Sequence, residues 1–218
     1  MLSGKAVRMK KSADSTDPEF WSCRYEAGKT PWDFGGVPAA LNSFLSGAAG
    51  SGKVLIPGCG SSYEVRAFHD AGYDVTAIDF SPAAVEQAKK VLGSLAERVI
   101  LGNFFTHDFG VRRFDLIYER TFLCSLPPAR WPDYVNRMAD LLSPRGRLIG
   151  LFLYGQEPEP PPYPLTDAQA EALFEKHFRL VRSEMVKDSL PLFRGMERWQ
   201  EWVKTDEPRP SASAIHNP

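Results

Sequence analysis

Lys53-Val-Leu-Ile-Pro-Gly-Cys-Gly-Ser-Ser-Tyr63, with Val75-Thr-Ala-Ile-Asp79 about twenty residues from its glycines, decides the fold of this chain. The first stretch reads as a buried strand that runs into a glycine turn and then a helix. The second reads as the next strand, ending in one carboxylate. Glycine combines open dihedrals with a missing Cβ, so Gly58 and Gly60 mark a place where backbone meets something closely. An acid at the tip of the next parallel strand lies beside such a turn, in reach of the two hydroxyls of a ribose. Asp79 is therefore the candidate ribose ligand; its competing role is to cap the helix that follows Ser81. The pair of stretches predicts a nucleoside-containing ligand at the carboxyl ends of a parallel sheet.

Outward from this unit, strands and helices alternate, the pattern of an α/β sheet covered on both faces. Residues 54–56 form a continuous apolar run, as a doubly buried strand should. Helix 61–71, strand 75–78, a helix capped by Ser81-Pro82, and strands 98–101 and 114–118 follow. Trp131, Tyr134, Val135, Met138, Leu141 and Leu142 share one helical face, which Ser143-Pro-Arg-Gly146 stops. A fifth strand spans 147–154. Residues 156–164, rich in proline, require an extended loop. Thr166-Asp-Ala-Gln169 has capping-box spacing, and strands 178–186 and 196–203 close the sheet as an antiparallel pair.

Upstream, Asp17-Pro18 opens a short helix carrying Phe20, Trp21 and Tyr25. Gly28-Lys-Thr-Pro-Trp-Asp-Phe-Gly-Gly36 is a loop holding Trp32 and Phe34, either a plug over the core edge or a lid over a ligand. Residues 37–45 form a second helix before the flexible stretch 46–52. The 218 residues, 43% hydrophobic and 24% charged, suffice for one substantial core. One domain is expected over 18–204, between a flexible leader (1–17) and a flexible tail (205–218).

A formal net charge of -1 offers no general attraction to nucleic acid or to anionic membrane, so a small-molecule partner and a monomer are expected. No run of roughly 18 apolar residues is present, and the basic run 5–11 lacks the apolar core of a secretory signal. Cys23, Cys59 and Cys124 are odd in number and widely spaced, which indicates neither a disulfide framework nor a metal site and points to the reducing cytosol.

The glycine turn admits more than one cofactor. A dinucleotide fold wants a third glycine to bring its helix to the pyrophosphate, and position 63 is Tyr, with Pro57 stiffening the approach. S-adenosylmethionine has ribose and adenine but no phosphate. Asn103, Phe104 and Phe105 follow the third strand and supply an amide and apolar surface for an adenine. Trp21, Tyr25 or Trp32 would stabilise a sulfonium through their ring faces. Cys59 in the turn and Phe80 beside the acid complete the expected cofactor lining. The reading is a methyltransferase; a nicotinamide-dependent oxidoreductase on a similar sheet and a non-catalytic protein that keeps the fold remain the alternatives.

Trp21-x-x-x-Tyr25-x-x-Gly-Lys-Thr30, Val54-Leu-Ile-Pro-Gly-Cys-Gly60, Phe114-Asp-Leu-Ile-Tyr-Glu-Arg120, Met138-Ala-Asp-Leu-Leu142 and Pro160-Pro-Pro-Tyr163 are specific. Through them the chain, from about residue 20 to residue 203, resembles the thiopurine S-methyltransferase family, which includes plant and bacterial thiol and halide methyltransferases. The resemblance implies a Rossmann-like, doubly wound, seven-stranded, mostly parallel sheet. It also implies methyl transfer from S-adenosylmethionine, with S-adenosylhomocysteine as product, to a small thiol, halide or chalcogen acceptor. The family's cofactor residues carry over to Trp21, Tyr25, Gly58, Asp79, Asn103, Phe104 and Arg120, with Tyr25 standing where some relatives have Trp. Cations near the reacting sulfur carry over to Arg120 and, from the segment Leu192-Phe-Arg-Gly195, to Arg194. Arg120 has a competing role as an ion-pair partner of Glu119 or Asp115.

Overall fold

The computed structural model describes residues 14–47, 50–157 and 159–205. Most of the expected leader (1–13), the tail beyond Thr205, Ala48 and Ala49 of the flexible stretch, and Pro158 of the proline loop lie outside the described residues. Residues 14–17 depart from the expectation of a loose leader. Ser15 is buried, and its carbonyl accepts the Trp21 indole N–H at 2.8 Å. A half-buried indole needs that acceptor, so the aromatic side chain pulls the preceding residues onto the fold.

Asp17 caps α1 (Pro18–Glu26) by accepting the Glu19 N–H, and Pro18 occupies a first-turn position where a missing N–H costs nothing. Helix α2 (Ala39–Ser46) precedes the alternating part of the chain: β1 (Lys53–Pro57), α3 (Tyr63–Asp70), β2 (Asp74–Asp79), α4 (Pro82–Leu92), β3 (Val99–Leu101), β4 (Phe114–Arg120), α5 (Trp131–Leu141), β5 (Leu142–Leu153), α6 (Asp167–Phe174), β6 (Phe178–Met185) and β7 (Glu197–Lys204). Thr166 and Gln169 form the reciprocal capping box of α6 that their spacing predicts.

The strands make one sheet in the order β3-β2-β1-β4-β5-β7-β6. β1 to β5 pair in parallel. β7 runs antiparallel to both β5 and β6, giving the closing pair expected of residues 178–203. Alternation along the strands divides the core in two. Leu55, Ile117 and Leu148 face the layer of α5 and α6, with Trp131, Tyr134, Met138 and Phe174. Val54, Ile56, Val75 and Tyr118 face the other layer, with Val65, Phe68 and Ala88 of α3 and α4. Both faces are covered, which is why these strands read as unbroken apolar runs rather than alternating ones.

Most boundaries shift by one or two residues, and three of the shifts have a plain local reason or consequence. α3 starts at Tyr63 rather than Ser61, because Ser62 sits at φ 60 and ψ 30, a left-handed conformation that no right-handed helix includes. β5 starts at Leu142: Pro144 and Arg145 at φ 58 do end α5, and the sheet takes up the extra residues as an irregularity between Phe114 and Leu116. β4 runs on to Arg120, two residues beyond its apolar core, and so carries a guanidinium to the carboxyl edge of the sheet. The chain leaves β1 in opposite directions toward β2 and β4, and the crevice outside this switch point is where an open α/β sheet holds its ligand.

Candidate active site

A cavity of about 840 Å³ opens in that crevice. Its lining includes every residue the sequence assigns to cofactor binding: Trp21, Tyr25, Trp32, Gly58, Cys59, Gly60, Asp79, Phe80, Asn103, Phe104 and Arg120. Arg194 is not brought there. It is exposed, immediately after a short 3₁₀ turn (Pro191–Phe193), and outside the lining that its neighbours Leu192 and Phe193 join.

The glycine turn is stapled to β2. Asp79 Oδ2 accepts the Gly60 N–H at 3.0 Å and Oδ1 accepts the Ser81 N–H at 2.9 Å. The Cys59 N–H reaches the Ile78 carbonyl at 3.2 Å, and the Gly102 N–H reaches that of Asp79 at 2.9 Å. Asp79 is only 8% exposed, and burial pushes its carboxyl up against the pull of the Ser81, Gly60 and Phe80 N–H groups. An ionised carboxylate has about four acceptor sites, so each Asp79 oxygen keeps capacity for a further donor. Holding the turn and binding a ligand are thus compatible. The Ser81 hydroxyl, not Asp79, caps α4 by accepting the Ala84 N–H, and it lies 2.9 Å from the Ser22 hydroxyl of α1.

Gly58 (φ 57) and Gly60 (φ 52) hold left-handed conformations that L side chains avoid. What their missing Cβ atoms admit is protein. A Cβ on Gly58 would lie 2.4 Å from the Phe122 ring, and one on Gly60 would lie 2.6 Å from the Tyr25 hydroxyl. The turn is therefore narrow because two aromatic side chains close over it. Gly58→Ala is expected to lower stability by about 1–3 kcal/mol, from backbone strain and overpacking together. A thermal unfolding midpoint equal to the parent's would show that Phe122 yields freely.

The aromatic cluster walls one side. Trp21 and Trp32 meet edge to face at 5.2 Å, Tyr25 and Trp32 at 6.1 Å, and the Trp32 indole N–H reaches the Tyr25 hydroxyl at 3.4 Å. Phe104 packs edge to face on Phe105 and Phe122. The loop 28–36 is tied over the crevice at two points. Asp33 Oδ2 accepts the Ser61 hydroxyl at 2.5 Å, and the Trp32 carbonyl accepts from Arg120 Nη1 at 3.5 Å. Trp32 lines the cavity, while Phe34 lies outside the lining with the Arg120 guanidinium 5.1 Å from its ring centre.

Arg120 does not pair with Glu119 or Asp115. Glu119 faces the other layer, where it accepts the Tyr134 hydroxyl at 2.6 Å, and Asp115 accepts the Lys53 N–H at 2.8 Å. The Arg120 side chain is 10% exposed, and its nearest carboxylate oxygen is Glu64 Oε1, 4.0 Å from Nε. Its Nε and Nη2 are buried without any hydrogen-bond acceptor. Unpaired buried donors on a cation are costly, and they mark where an anionic or electron-rich group belongs.

Cys59 and Cys124 are buried, and burial pushes both thiols up, so neither serves as a nucleophile here. His107 stays out of the lining, its ring edge to face with Phe109 at 4.7 Å. Pro161 and Pro162 do border the mouth, with Glu157 and Glu159. Sequence reasoning missed Glu64, a buried carboxylate in the first turn of α3 that lines the cavity. An acid at that position reads as a complement to the helix dipole, and nothing local shows that it points inward.

Comparison with known proteins agrees with this geometry. The sequence profile of the thiopurine S-methyltransferase family matches residues 16–206. "Probable thiol methyltransferase 2" of Arabidopsis thaliana is 31% identical over 93% of this chain and 96% of its own length. "Thiocyanate methyltransferase 1" of Brassica oleracea is 29% identical, over 84% of each chain. In structure, the Burkholderia thailandensis 1,6-didemethyltoxoflavin-N1-methyltransferase bound to 1,6-didemethyltoxoflavin and S-adenosylhomocysteine superposes with a TM-score of 0.66 at 23% identity, over 87% of each chain. The glycine turn, its acid and the family stretches thus converge: the chain belongs to the thiopurine S-methyltransferase family and is an S-adenosylmethionine-dependent methyltransferase.

Proposed function

We propose that the enzyme methylates the sulfur of a small thiol and that Arg120 stands beside the attacking sulfur. The observation that carries this reading is the buried Arg120 guanidinium on the cavity wall, with Nε and Nη2 lacking any acceptor. A positive charge beside a thiol lowers its pKa and favours the thiolate. The sulfonium of S-adenosylmethionine supplies an activated methyl group, so little general-base help is required. Orientation then dominates, an effect worth up to ~7–11 kcal/mol in well-aligned model reactions.

The residues present fit that donor. Asp79 retains acceptor capacity for the ribose hydroxyls, and the Asn103 side chain, whose oxygen already takes the Phe105 N–H at 2.9 Å, offers its NH2 group to the adenine beside Phe104. The faces of Trp21, Tyr25 or Trp32 would stabilise the positive sulfur, each by about 0.5–2 kcal/mol. Three cysteines, odd in number and widely spaced, support placement in a reducing cytosol.

An acceptor screen with methyl-labelled donor tests the reading. Aliphatic and aromatic thiols are expected to be turned over, with thiocyanate and halide as competing small anions. With a thiol acceptor, Arg120→Met is expected to lower kcat/KM at least tenfold at neutral pH, and to recover activity as pH rises toward the pKa of the free thiol. Identical pH profiles for variant and parent would remove Arg120 from the acceptor site. Absence of S-adenosylhomocysteine binding, seen alongside a thermal shift with NAD(P), would reverse the assignment altogether.

A further inference from the structure

Among the described lining residues the carboxylates are Asp33, Glu64, Asp79, Glu157 and Glu159. Asp33 is engaged by the Ser61 hydroxyl and the Gly35 N–H, and Asp79 by the Gly60 and Ser81 N–H groups. Glu157 is half-buried and accepts the Glu159 N–H at 3.2 Å, and Glu159 is exposed. Glu64 differs from all of these. Its side chain is 8% exposed, and its nearest cation, Arg120 Nε, stands at 4.0 Å, outside hydrogen-bond reach. Burial pushes the Glu64 carboxyl up, and a carboxylate withdrawn from water with so distant a counter-ion stays ionised at neutral pH most readily when a cationic partner repays its desolvation.

The position of Glu64 indicates which cation. With the adenine assigned to Asn103 and Phe104 and the ribose to Asp79, the amino-acid tail of the donor is left the remaining lining, which includes the glycine turn and the start of α3. Glu64 occupies the first turn of that helix. The tail carries one ammonium and one carboxylate, and the buried acid is complementary to the ammonium alone. We propose that Glu64 is the acceptor for the α-ammonium group of the methyl donor, a specificity-determining contact that distinguishes the zwitterionic donor from nucleosides without an amine. The assignment rests on the donor reading given above. It is also compatible with the 4.0 Å gap to Arg120: a Glu64 committed to the ammonium would leave the guanidinium to face the acceptor.

The test is calorimetry with two ligands and two proteins: S-adenosylhomocysteine and its des-amino analogue, against the parent chain and Glu64→Gln. The parent is expected to bind S-adenosylhomocysteine roughly tenfold or more tightly than the des-amino analogue, as for a charge-assisted hydrogen bond. Glu64→Gln is expected to lose that preference while binding the des-amino ligand as the parent does. Equal parent affinities for the two ligands would overturn the proposal without any variant, so poor folding of Glu64→Gln does not rescue it. A variant that weakens both ligands by the same factor would overturn it as well, since that is the signature of a purely structural role. If the parent binds neither ligand, the donor reading itself fails, a different and distinguishable result.

Discussion

Replacing Asp79 by Ala is expected to weaken S-adenosylhomocysteine binding by about 10- to 150-fold and to destabilise the protein at the same time. The affinity loss follows from removing charge-assisted hydrogen bonds to a ribose, ~1.5–3 kcal/mol. The stability loss has a separate origin. The Gly60 and Ser81 N–H groups both donate to this carboxylate, Ser81 is fully buried, and each stranded N–H costs about 1–3 kcal/mol. Asp79→Asn separates the two effects. Its single carbonyl oxygen keeps one of the two N–H groups satisfied and preserves volume, so the variant remains folded at ambient temperature and its calorimetric affinity reports on the ribose contact. An Asp79→Asn chain with the parent's affinity would remove the carboxylate charge from the binding site.

Stability is expected to fall between about pH 5 and pH 8, and Glu119 is the principal source. Its Oε1 accepts the Phe122 and Leu123 N–H groups at 2.9 and 3.0 Å, and its Oε2 accepts the Tyr134 hydroxyl. Those bonds favour the charged form, but burial outweighs them and pushes the carboxyl up to about 7, from an ordinary value of 4.5. The folded chain therefore binds a proton that the unfolded chain has lost in that interval. The contribution is complete below pH 4.5 and disappears as pH rises through 7, a change of roughly 3 kcal/mol at about 1.36 kcal/mol per pKa unit. Burial also pushes up Asp79, Glu64 and Glu197, which add slopes of the same sign. Glu119→Gln does not titrate, yet it keeps an oxygen for the Phe122 and Leu123 N–H groups and offers an amide to the Tyr134 oxygen. In urea unfolding at about pH 5.5 and pH 8, which cover most but not all of that interval, the parent is expected to lose roughly 2 kcal/mol relative to this variant. A pH-independent difference would assign the slope elsewhere.

What could be read from the sequence was whatever depends on near neighbours in the chain. The unit β1, turn and β2 is compact in sequence, so its apolar run, its two glycines and its terminal acid announce both the sheet and the position of Asp79. Arg120 was legible only through the family stretch Phe114 to Arg120, because the apolar run ends at Tyr118 and nothing local extends the strand to the guanidinium. Arg194 had no such frame. It follows a 3₁₀ turn with no periodicity to orient it, and it ends exposed. Glu64 was invisible for the opposite reason: its helix is plain, but the inward direction of its first turn depends on the left-handed Ser62 before it and on Arg120 across the crevice. Burial of Ser15 was likewise a tertiary outcome, set by the Trp21 indole needing an acceptor.

The lining of the crevice has a division of labour that follows from the strand order. The wall formed by Gly58 to Glu64, Asp79, Phe80 and Gly102 to Phe105 comes from one uninterrupted stretch spanning β1 to just beyond β3, held by backbone hydrogen bonds. The opposite rim is a patchwork of short loops: Thr121, Phe122 and Cys124 to Leu126; Glu157, Glu159, Pro161 and Pro162; and Leu192 with Phe193. Insertions or substitutions in those loops, Phe122 against Gly58 excepted, would reshape the mouth without disturbing the glycine turn. The scaffold is therefore modular, so that its descendants can exchange one small acceptor for another by loop variation while the donor grip stays constant.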